Sequence, residues 1–204
     1  CKYIIFNLCF FFFFDYFVLK YRIKILSIIL HKNLNKMLYL IGFSGVGKTS
    51  IGRKFAKNLN LKFVDTDKLI ENKYQKSIDK IFLEDGESFF RTIESNILKE
   101  IKHIDIVACG GGLPCFNNNI NLINRLGTSI YLKASVNEIL KRLKTSFNIR
   151  PLMLKKTERE RKIYVKNCLK NREKFYEKAN YVIDTDNLTI DQILTKINSL
   201  PFSF

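Results

Sequence analysis

Residues 42–49 read GFSGVGKT, a glycine-rich stretch that fits the pattern G-x-x-x-x-G-K-[ST]. They follow a short apolar segment, residues 38–41, and precede a segment with apolar residues at helical spacing. Glycines permit a tight turn whose successive N–H groups point inward, and the positive end of the following helix adds to their attraction for phosphate oxygens. This order of strand, loop and helix predicts a phosphate-binding loop and disfavours a chance glycine-rich turn with a surface lysine.

The same loop supplies residues that we expect to hold a nucleoside triphosphate and its metal ion. Lys48 reaches the terminal phosphates, and the Thr49 hydroxyl is placed to ligate Mg²⁺. The predicted ATP-binding residues of the loop are Gly45, Val46, Gly47, Lys48, Thr49 and Ser50. ATPases, GTPases and small-molecule kinases share this motif. Because the sequence has no N-K-x-D element for guanine and no apolar strand ending in Asp-Glu for a water-activating ATPase, a kinase is favoured.

The composition is that of a folded protein with one or at most two domains. The 204 residues are 47% hydrophobic and 26% charged, which excludes wholesale disorder, a collagen-like chain and a disulfide scaffold. The formal net charge of +16 favours anionic partners, namely phosphorylated metabolites, nucleic acid or an anionic membrane surface, without choosing among them. Five scattered cysteines without a C-x-x-C pair predict a reducing cytoplasm. With only two histidines, acid and base chemistry is expected from carboxylates or lysines.

The first 36 residues differ in composition from the rest of the chain. They contain seven of the 18 phenylalanines and six basic residues against one acid, and the first methionine is Met37. Asn7 and Asp15 interrupt the apolar stretch 3–19, so a clean transmembrane helix is not expected. We interpret residues 1–36 as an upstream-translated or non-native extension; a membrane anchor and a targeting or interaction segment are the alternatives. Residues 37–204 are predicted to form the functional domain.

Residues 37–204 alternate short apolar runs with longer segments of helical spacing, the pattern of an α/β fold with a parallel sheet and crossover helices. The predicted strands are 38–41, 62–65, 104–109, 129–133 and 181–184. The predicted helices are 48–58, 67–76, 77–83, 87–101, 118–125, 136–143 and 157–178, with Ser135 and Thr157 as N-caps of the last two. The polar, cationic segment at about 144–157 is predicted to be a loop or lid.

Two carboxylates, Asp65 and Asp67, follow the second strand and should lie beside the phosphate-binding loop at the carboxyl edge of the sheet. Since alternate residues point in opposite directions, one acid can face Mg²⁺ while the other orients or deprotonates an acceptor hydroxyl. The alternative for either aspartate is a purely structural role as a helix N-cap.

Arg91 and Glu94 stand three residues apart on a predicted helix, so they share one face and can pair. A guanidinium held still in this way suits two-point recognition of a substrate carboxylate. A surface ion pair without any function is the alternative.

Three consecutive glycines, Gly110, Gly111 and Gly112, directly follow the third strand. Without side chains they would let a small ligand lie against backbone N–H groups, or they could form only a tight turn. Arg150 in the predicted lid and Arg172 on the last predicted helix are further candidates, but isolated arginines in so basic a chain have little specificity.

Six segments, taken in this order, resemble the shikimate kinase family. They are GFSGVGKTS from residue 42, DTD at 65–67, GESFFRTIE from 86, GGG at 110–112, RPLM from 150 and NREKFYEKAN around Arg172. The resemblance spans essentially residues 37–200. It implies ATP-dependent phosphorylation of the 3-hydroxyl of shikimate, giving shikimate 3-phosphate and ADP, in chorismate and aromatic amino-acid biosynthesis. It also implies a three-layer α/β/α P-loop kinase with a five-stranded parallel sheet of order 2-3-1-4-5, a lid, and an acceptor-binding region at about 68–100.

The resemblance also implies roles for individual residues. Asp67 should bind the reacting hydroxyl and act as base, while Asp65 and Thr49 should hold one Mg²⁺. Arg150 should swing in with the lid to contact ATP at the transferring phosphate, which makes it a catalytic residue together with Asp67 and Lys48. The residues implied to bind shikimate are Asp67, Arg91, Gly110, Gly111, Gly112 and Arg172.

Two positions depart from the family pattern. Residues 113–115 read Leu-Pro-Cys where a small residue is expected first, and the residue expected to stack on adenine could be Arg142 or Lys144. The resemblance further implies a monomeric cytoplasmic enzyme whose partners are ATP and shikimate, with no nucleic-acid or membrane partner. Two alternatives stay open: another small-molecule P-loop kinase, acting on gluconate or a nucleoside monophosphate, and a non-enzymatic basic protein with a regulatory nucleotide site.

Overall fold

The computed structural model describes residues 37–145 and 157–202, which form a parallel sheet of five strands between layers of helices. The strand order is β2-β3-β1-β4-β5, and every neighbouring pair is parallel. The strands are β1 Met37–Ile41, β2 Phe63–Asp65, β3 Ile106–Ala108, β4 Gly127–Lys133 and β5 Tyr181–Asp184. The α/β class and the strand order expected from the resemblance are therefore confirmed.

The predicted strand ends needed small corrections. The third strand, Ile106–Ala108, is shorter than the predicted 104–109. Just before it, the Asp105 backbone N–H donates to Lys62 O at 3.1 Å and the Asp105 carboxylate accepts from Lys62 N at 2.7 Å, which ties the start of β3 to the start of β2. The central strand β1 is buried along its whole length, since helices cover both faces of a parallel sheet.

The helices follow the predicted crossovers with one addition. They are α1 Lys48–Leu59, α2 Thr66–Tyr74, α3 Ile78–Glu84, α4 Gly86–Glu100, α5 Asn119–Leu126, α6 Val136–Thr145, α7 Glu158–Tyr176 and α8 Ile190–Asn198. The predicted N-caps are present: Ser135 Oγ accepts from Glu138 N at 3.2 Å, and Thr157 forms a capping box with Glu160. Helix α8 was not predicted. In the ranges 37–145 and 157–202, no helix combines the length and apolar character that a bilayer crossing requires.

The strand register brings three loops to one edge of the sheet. Ala108 lies beside Asp65 of β2 and beside Leu40 of β1, so these three strands end at the same level. The chain leaves β1 into residues 42–47, leaves β2 into α2 and leaves β3 into residues 109–112. The phosphate-binding loop, the two aspartates and the three glycines are therefore neighbours, as expected at the carboxyl edge of such a sheet.

Candidate active site

A cleft of about 870 Å³ opens at this carboxyl edge and gathers most of the predicted site residues. All six predicted ATP-binding residues of the loop line it, together with Asp65, Asp67, Gly110, Gly111, Arg142 and Arg172. A smaller groove of about 350 Å³ between α4 and α5 contains none of the predicted site residues. The larger cleft is therefore the candidate site. Arg150 lies outside the described residues.

The phosphate-binding loop has the backbone shape that its glycines permit. Gly45 and Gly47 adopt φ values of 89° and 94°, in the left-handed region that side chains disfavour, and Gly47 directly precedes the first turn of α1. Lys48 is buried, and its Nζ donates to the carbonyls of Gly42 at 2.9 Å and Phe43 at 2.8 Å. The lysine ammonium is thus held beside the N-terminus of α1, where an anion is favoured.

Asp65 serves both as a helix cap and as a partner of the phosphate-binding loop. Its Oδ1 accepts from the backbone N–H groups of Asp67 at 3.0 Å and Lys68 at 3.3 Å, which caps α2. Its Oδ2 accepts from the Thr49 hydroxyl at 2.6 Å. Asp65 can therefore cap α2 through Oδ1 and still have Oδ2 beside Thr49, where the resemblance implies a metal ion.

The oxygens of Thr49 and Asp65 suit a hard cation such as Mg²⁺, which prefers oxygen ligands. Among the described residues, no group of three or more His, Cys, Asp or Glu side chains could enclose a metal ion. Mg²⁺ at a kinase site usually takes one or two protein oxygens and completes its shell with phosphate and water oxygens. The pair therefore fits a nucleotide-bound Mg²⁺ better than a metal site built from protein ligands alone.

Asp67 lies against the glycine cluster on the floor of the cleft. A Cβ on Gly110 would overlap Asp67 Oδ1 and lie 3.3 Å from Glu94 Oε1. The adjacent Cys109 is buried, and burial raises the pKa of its thiol, with Lys48 and Asp65 among the charged groups nearest to it. Glycine at 110 thus leaves the space that the Asp67 carboxylate occupies.

Arg91 is held from several directions and lies behind the glycine cluster. Its Nη1 donates to Glu94 Oε2 at 2.6 Å, and its Nη2 donates to Glu87 Oε1 at 2.8 Å. The Arg91 guanidinium carbon lies 4.0 Å from the centre of the Phe116 ring. A Cβ on Gly112 would overlap Arg91 Nη1. Arg91 therefore pairs with Glu94 as its spacing indicated, and Gly112 makes room for the guanidinium.

Arg172 reaches the cleft from α7, the helix that follows the predicted lid. Its guanidinium carbon lies 5.8 Å from the centre of the Phe43 ring. Burial raises the pKa of the Cys115 thiol to about 11, although Arg172, a hydrogen bond with Tyr176, and Arg91 all act to lower it. Both arginines therefore lie close enough to Cys115 to influence its charge. The two arginines that the resemblance assigns to the shikimate carboxylate thus both influence the turn at residues 113–115.

That turn accounts for the departure at residues 113–115. Leu113–Cys115 form a single 3₁₀ turn in which Cys115 N donates to Gly112 O at 2.9 Å, and Leu113 is buried. The larger side chain is thus placed in the core, and Gly110 keeps its place beside Asp67.

Arg142 and Lys144, the two candidates for the adenine contact, have different surroundings. Arg142 lines the cleft, donates to Val46 O at 2.9 Å and donates to Thr185 O at 2.6 Å. Lys144 is exposed and forms an ion pair with Glu158 at 2.6 Å. Arg142 is therefore the one of the two that joins the phosphate-binding loop to the loop after β5.

Several residues at the cleft were missed by sequence reasoning. Glu71, Tyr164 and Ile190 line it, and Tyr176 hydrogen-bonds to its glycine cluster. Ile190 opens α8, whose Thr189–Gln192 capping box and apolar spacing are visible in the sequence and could have predicted this helix. The sequence contains no comparable pattern that would have predicted the contact between Tyr176 and Gly111.

The comparisons with known proteins point to one family. A model of the family described as shikimate kinase matches residues 44–200. The shikimate kinase of Azobacteroides pseudotrichonymphae is 42% identical over 166 residues, which cover 79% of this chain and 97% of that protein. A crystal structure of shikimate kinase from Bacteroides thetaiotaomicron matches with a TM-score of 0.75 and 31% identity, covering 80% of this chain and 96% of the other. Shikimate kinase from Acinetobacter baumannii, in complex with shikimate, matches with a TM-score of 0.72 and 32% identity over 82% of this chain and 94% of the other.

Proposed function

The chain belongs to the shikimate kinase family, and on that premise we infer that it transfers the terminal phosphate of ATP to the 3-hydroxyl of shikimate. The products are shikimate 3-phosphate and ADP, on the route to chorismate and the aromatic amino acids. The observation that supports this function best is the convergence of a phosphate-binding loop, Asp67 and Arg172 on one cleft. Residues 37–204 are the proposed kinase domain.

We propose that the phosphates of ATP lie on the backbone N–H groups of residues 45–50. Lys48, whose Nζ donates to two backbone carbonyls of this loop, would then donate to phosphate oxygens. Thr49 and Asp65 would hold Mg²⁺, which would neutralise charge that develops on the phosphates. Arg142 is the proposed contact for adenine, because it already bridges the phosphate-binding loop and the loop after β5.

On the acceptor side, we propose that Asp67 accepts a hydrogen bond from the 3-hydroxyl and takes its proton during transfer. Arg91 and Arg172 would bind the shikimate carboxylate, with the glycines at 110–112 leaving room for the ring. Arg91 is well suited to this because Glu94 and Glu87 fix its donors in place before substrate binds. Arg150 is proposed to contact the transferring phosphate, as the resemblance implies.

Catalysis in this site would rest on positioning and on charge neutralisation. Phosphoryl transfer passes through a loose transition state, so the protein has little covalent chemistry to perform. Two anionic substrates meet between cationic side chains, and their alignment replaces an unlikely collision in solution. We further propose a monomer, as the resemblance implies, and a cytoplasmic location, since the free thiols of Cys109, Cys115 and Cys168 suit a reducing compartment.

A coupled assay of ADP release with shikimate, gluconate and CMP tests the proposed function. With ATP present, we expect turnover with shikimate but not with gluconate or CMP. Asp67→Asn should lower the turnover of shikimate by about 100-fold or more, the usual loss when a general base is removed. Binding of ATP, measured by calorimetry, should persist because only the acceptor side is altered. Asp191→Asn, at an exposed carboxylate that pairs with Lys54, is the control and should keep its turnover. The absence of shikimate-dependent turnover in the unaltered enzyme would refute the proposal.

A further inference from the structure

Tyr176 is the last residue of α7 and is completely buried beneath the glycine cluster. Its hydroxyl donates to the carbonyl oxygen of Gly111 at 2.5 Å. This bond joins two parts of the chain that each contribute to the acceptor side of the cleft. One is the helix that carries Arg172, and the other is the loop after β3.

Arg172 lies one helical turn earlier on the same face of α7, so its guanidinium is within reach of this hydroxyl as a hydrogen-bond donor. A phenol has one proton to donate and two lone pairs to accept with, so it can donate to Gly111 and accept from the guanidinium at once. A tyrosine hydroxyl is protonated at physiological pH and burial raises the pKa of Tyr176 further, so this hydroxyl is a donor.

We propose that Tyr176 is a positioning residue for shikimate: its hydroxyl sets the Arg172 guanidinium and the Gly111 carbonyl at a fixed separation, so that the carboxylate site is formed before substrate arrives. This inference rests on the proposed function. Tyr176 itself does not line the cleft, and it acts through the two groups that do. Its loss should therefore weaken shikimate binding and leave ATP binding intact.

The neighbouring Tyr131 provides a matched control. The two rings pack with centroids 5.1 Å apart, and Tyr131 is 1% exposed. Unlike Tyr176, the Tyr131 hydroxyl has no hydrogen-bond partner among the described residues. Tyr→Phe at either position removes one oxygen atom from the same buried aromatic pair, but only Tyr176→Phe removes a bond to the site.

The experiment compares Tyr176→Phe and Tyr131→Phe with the unaltered enzyme by steady-state kinetics and thermal unfolding. Loss of a hydrogen bond to a charged group at a preformed site should raise KM for shikimate about tenfold in Tyr176→Phe. KM for ATP should stay within about twofold in both variants, because Tyr176 contacts only the acceptor side. A purely structural loss would instead affect both substrates. Tyr131→Phe should leave both KM values unchanged.

A double-mutant cycle with Arg172→Lys tests the path of the effect. If Tyr176 acts through Arg172, then Tyr176→Phe should add little to the rise in KM that Arg172→Lys already causes. Should Tyr176→Phe fail to fold, p-aminophenylalanine at position 176 keeps the ring and a donor N–H, and an intermediate KM for shikimate is expected.

The inference is overturned if KM for shikimate in Tyr176→Phe stays within about twofold of the unaltered enzyme, or if both KM values rise together. These outcomes are distinct from a failure of the proposed function. In that case the unaltered enzyme itself would show no shikimate-dependent turnover, and both conclusions would fall.

Discussion

Gly110→Ala probes the contact between the glycine cluster and Asp67 with the smallest possible change. The backbone of Gly110 lies outside the left-handed region, so alanine is allowed there, and its N–H can keep its bond to Thr66 Oγ1 at 2.8 Å. The added methyl group, however, would overlap Asp67 Oδ1. Because the methyl group is attached to the main chain, the side chain of Asp67 is the part that must move.

The size of the effect follows from the size of the displacement. The Asp67 carboxylate must withdraw by about 1 Å to restore van der Waals contact with the new methyl group. A misplacement of this size at a reacting group can cost about 100-fold in rate, or roughly 2.7 kcal/mol in the barrier. We therefore expect kcat to fall about 100-fold in Gly110→Ala, while the affinity for ATP is unchanged.

The assay is coupled ADP release with saturating shikimate, with ATP affinity measured separately by calorimetry. Shikimate affinity in an Asp67→Ala background supplies the control, because the carboxylate that collides with the methyl group is then absent. Gly110→Ala should have no further effect on shikimate affinity in that background. A kcat within about threefold of the unaltered enzyme would show that Asp67 is not held against Gly110 during catalysis.

Two further comparisons test other contacts of the cleft. Arg142→Ala should raise KM for ATP about tenfold because its hydrogen bonds to Val46 and to Thr185 are lost. Lys144→Ala, at an exposed ion pair, should change KM for ATP by less than about twofold, and equal effects of the two substitutions would remove the preference for Arg142 as the adenine contact. Glu94→Gln should lower the free energy of unfolding by roughly 3 kcal/mol and raise KM for shikimate, because a buried partner of Arg91 loses its charge. Glu87 is the more exposed partner of Arg91, so Glu87→Gln should lower the free energy of unfolding, measured in urea, by less than about 1 kcal/mol. A larger decrease would mean that Glu87, not Glu94, is the main residue that holds Arg91.

The fold was predictable wherever local chemistry is strong. The first strand, the phosphate-binding loop and α1 are consecutive and carry their own signals, and Asn60 ends α1 in a left-handed conformation, which asparagine tolerates better than most residues. Helix α2 begins at Thr66, one residue earlier than predicted, because Asp65 rather than Thr66 caps it. The strand order came only from the resemblance, since hydrophobic patterns locate strands without saying which ones pair.

The individual residues of the candidate site could be predicted from sequence better than the contacts between them. Residue spacing indicated that Arg91 and Glu94 would share a face, because four helical residues span about one turn. The sequence could not show that Asp65 can be both a helix cap and a neighbour of Thr49, because only the structure shows that its two oxygens have different partners. The bond from Tyr176 to Gly111 joins residues 65 positions apart, and no local pattern encodes such a contact.

The two acceptor-side arginines differ in what offsets their charge, and this difference separates their roles. Arg91 lies between Glu94 and Glu87, so its charge is more than offset by the two carboxylates, which also hold its N–H donors in place. Arg172 forms no salt bridge with any residue of 37–145 or 157–202, and its hydrogen-bond partner is the neutral Tyr176 hydroxyl. If both arginines bind the shikimate carboxylate as proposed, Arg172 would attract it and Arg91 would orient it. A guanidinium without a carboxylate partner needs some other group to hold its position, and a neutral phenol could do so without reducing the positive charge of Arg172.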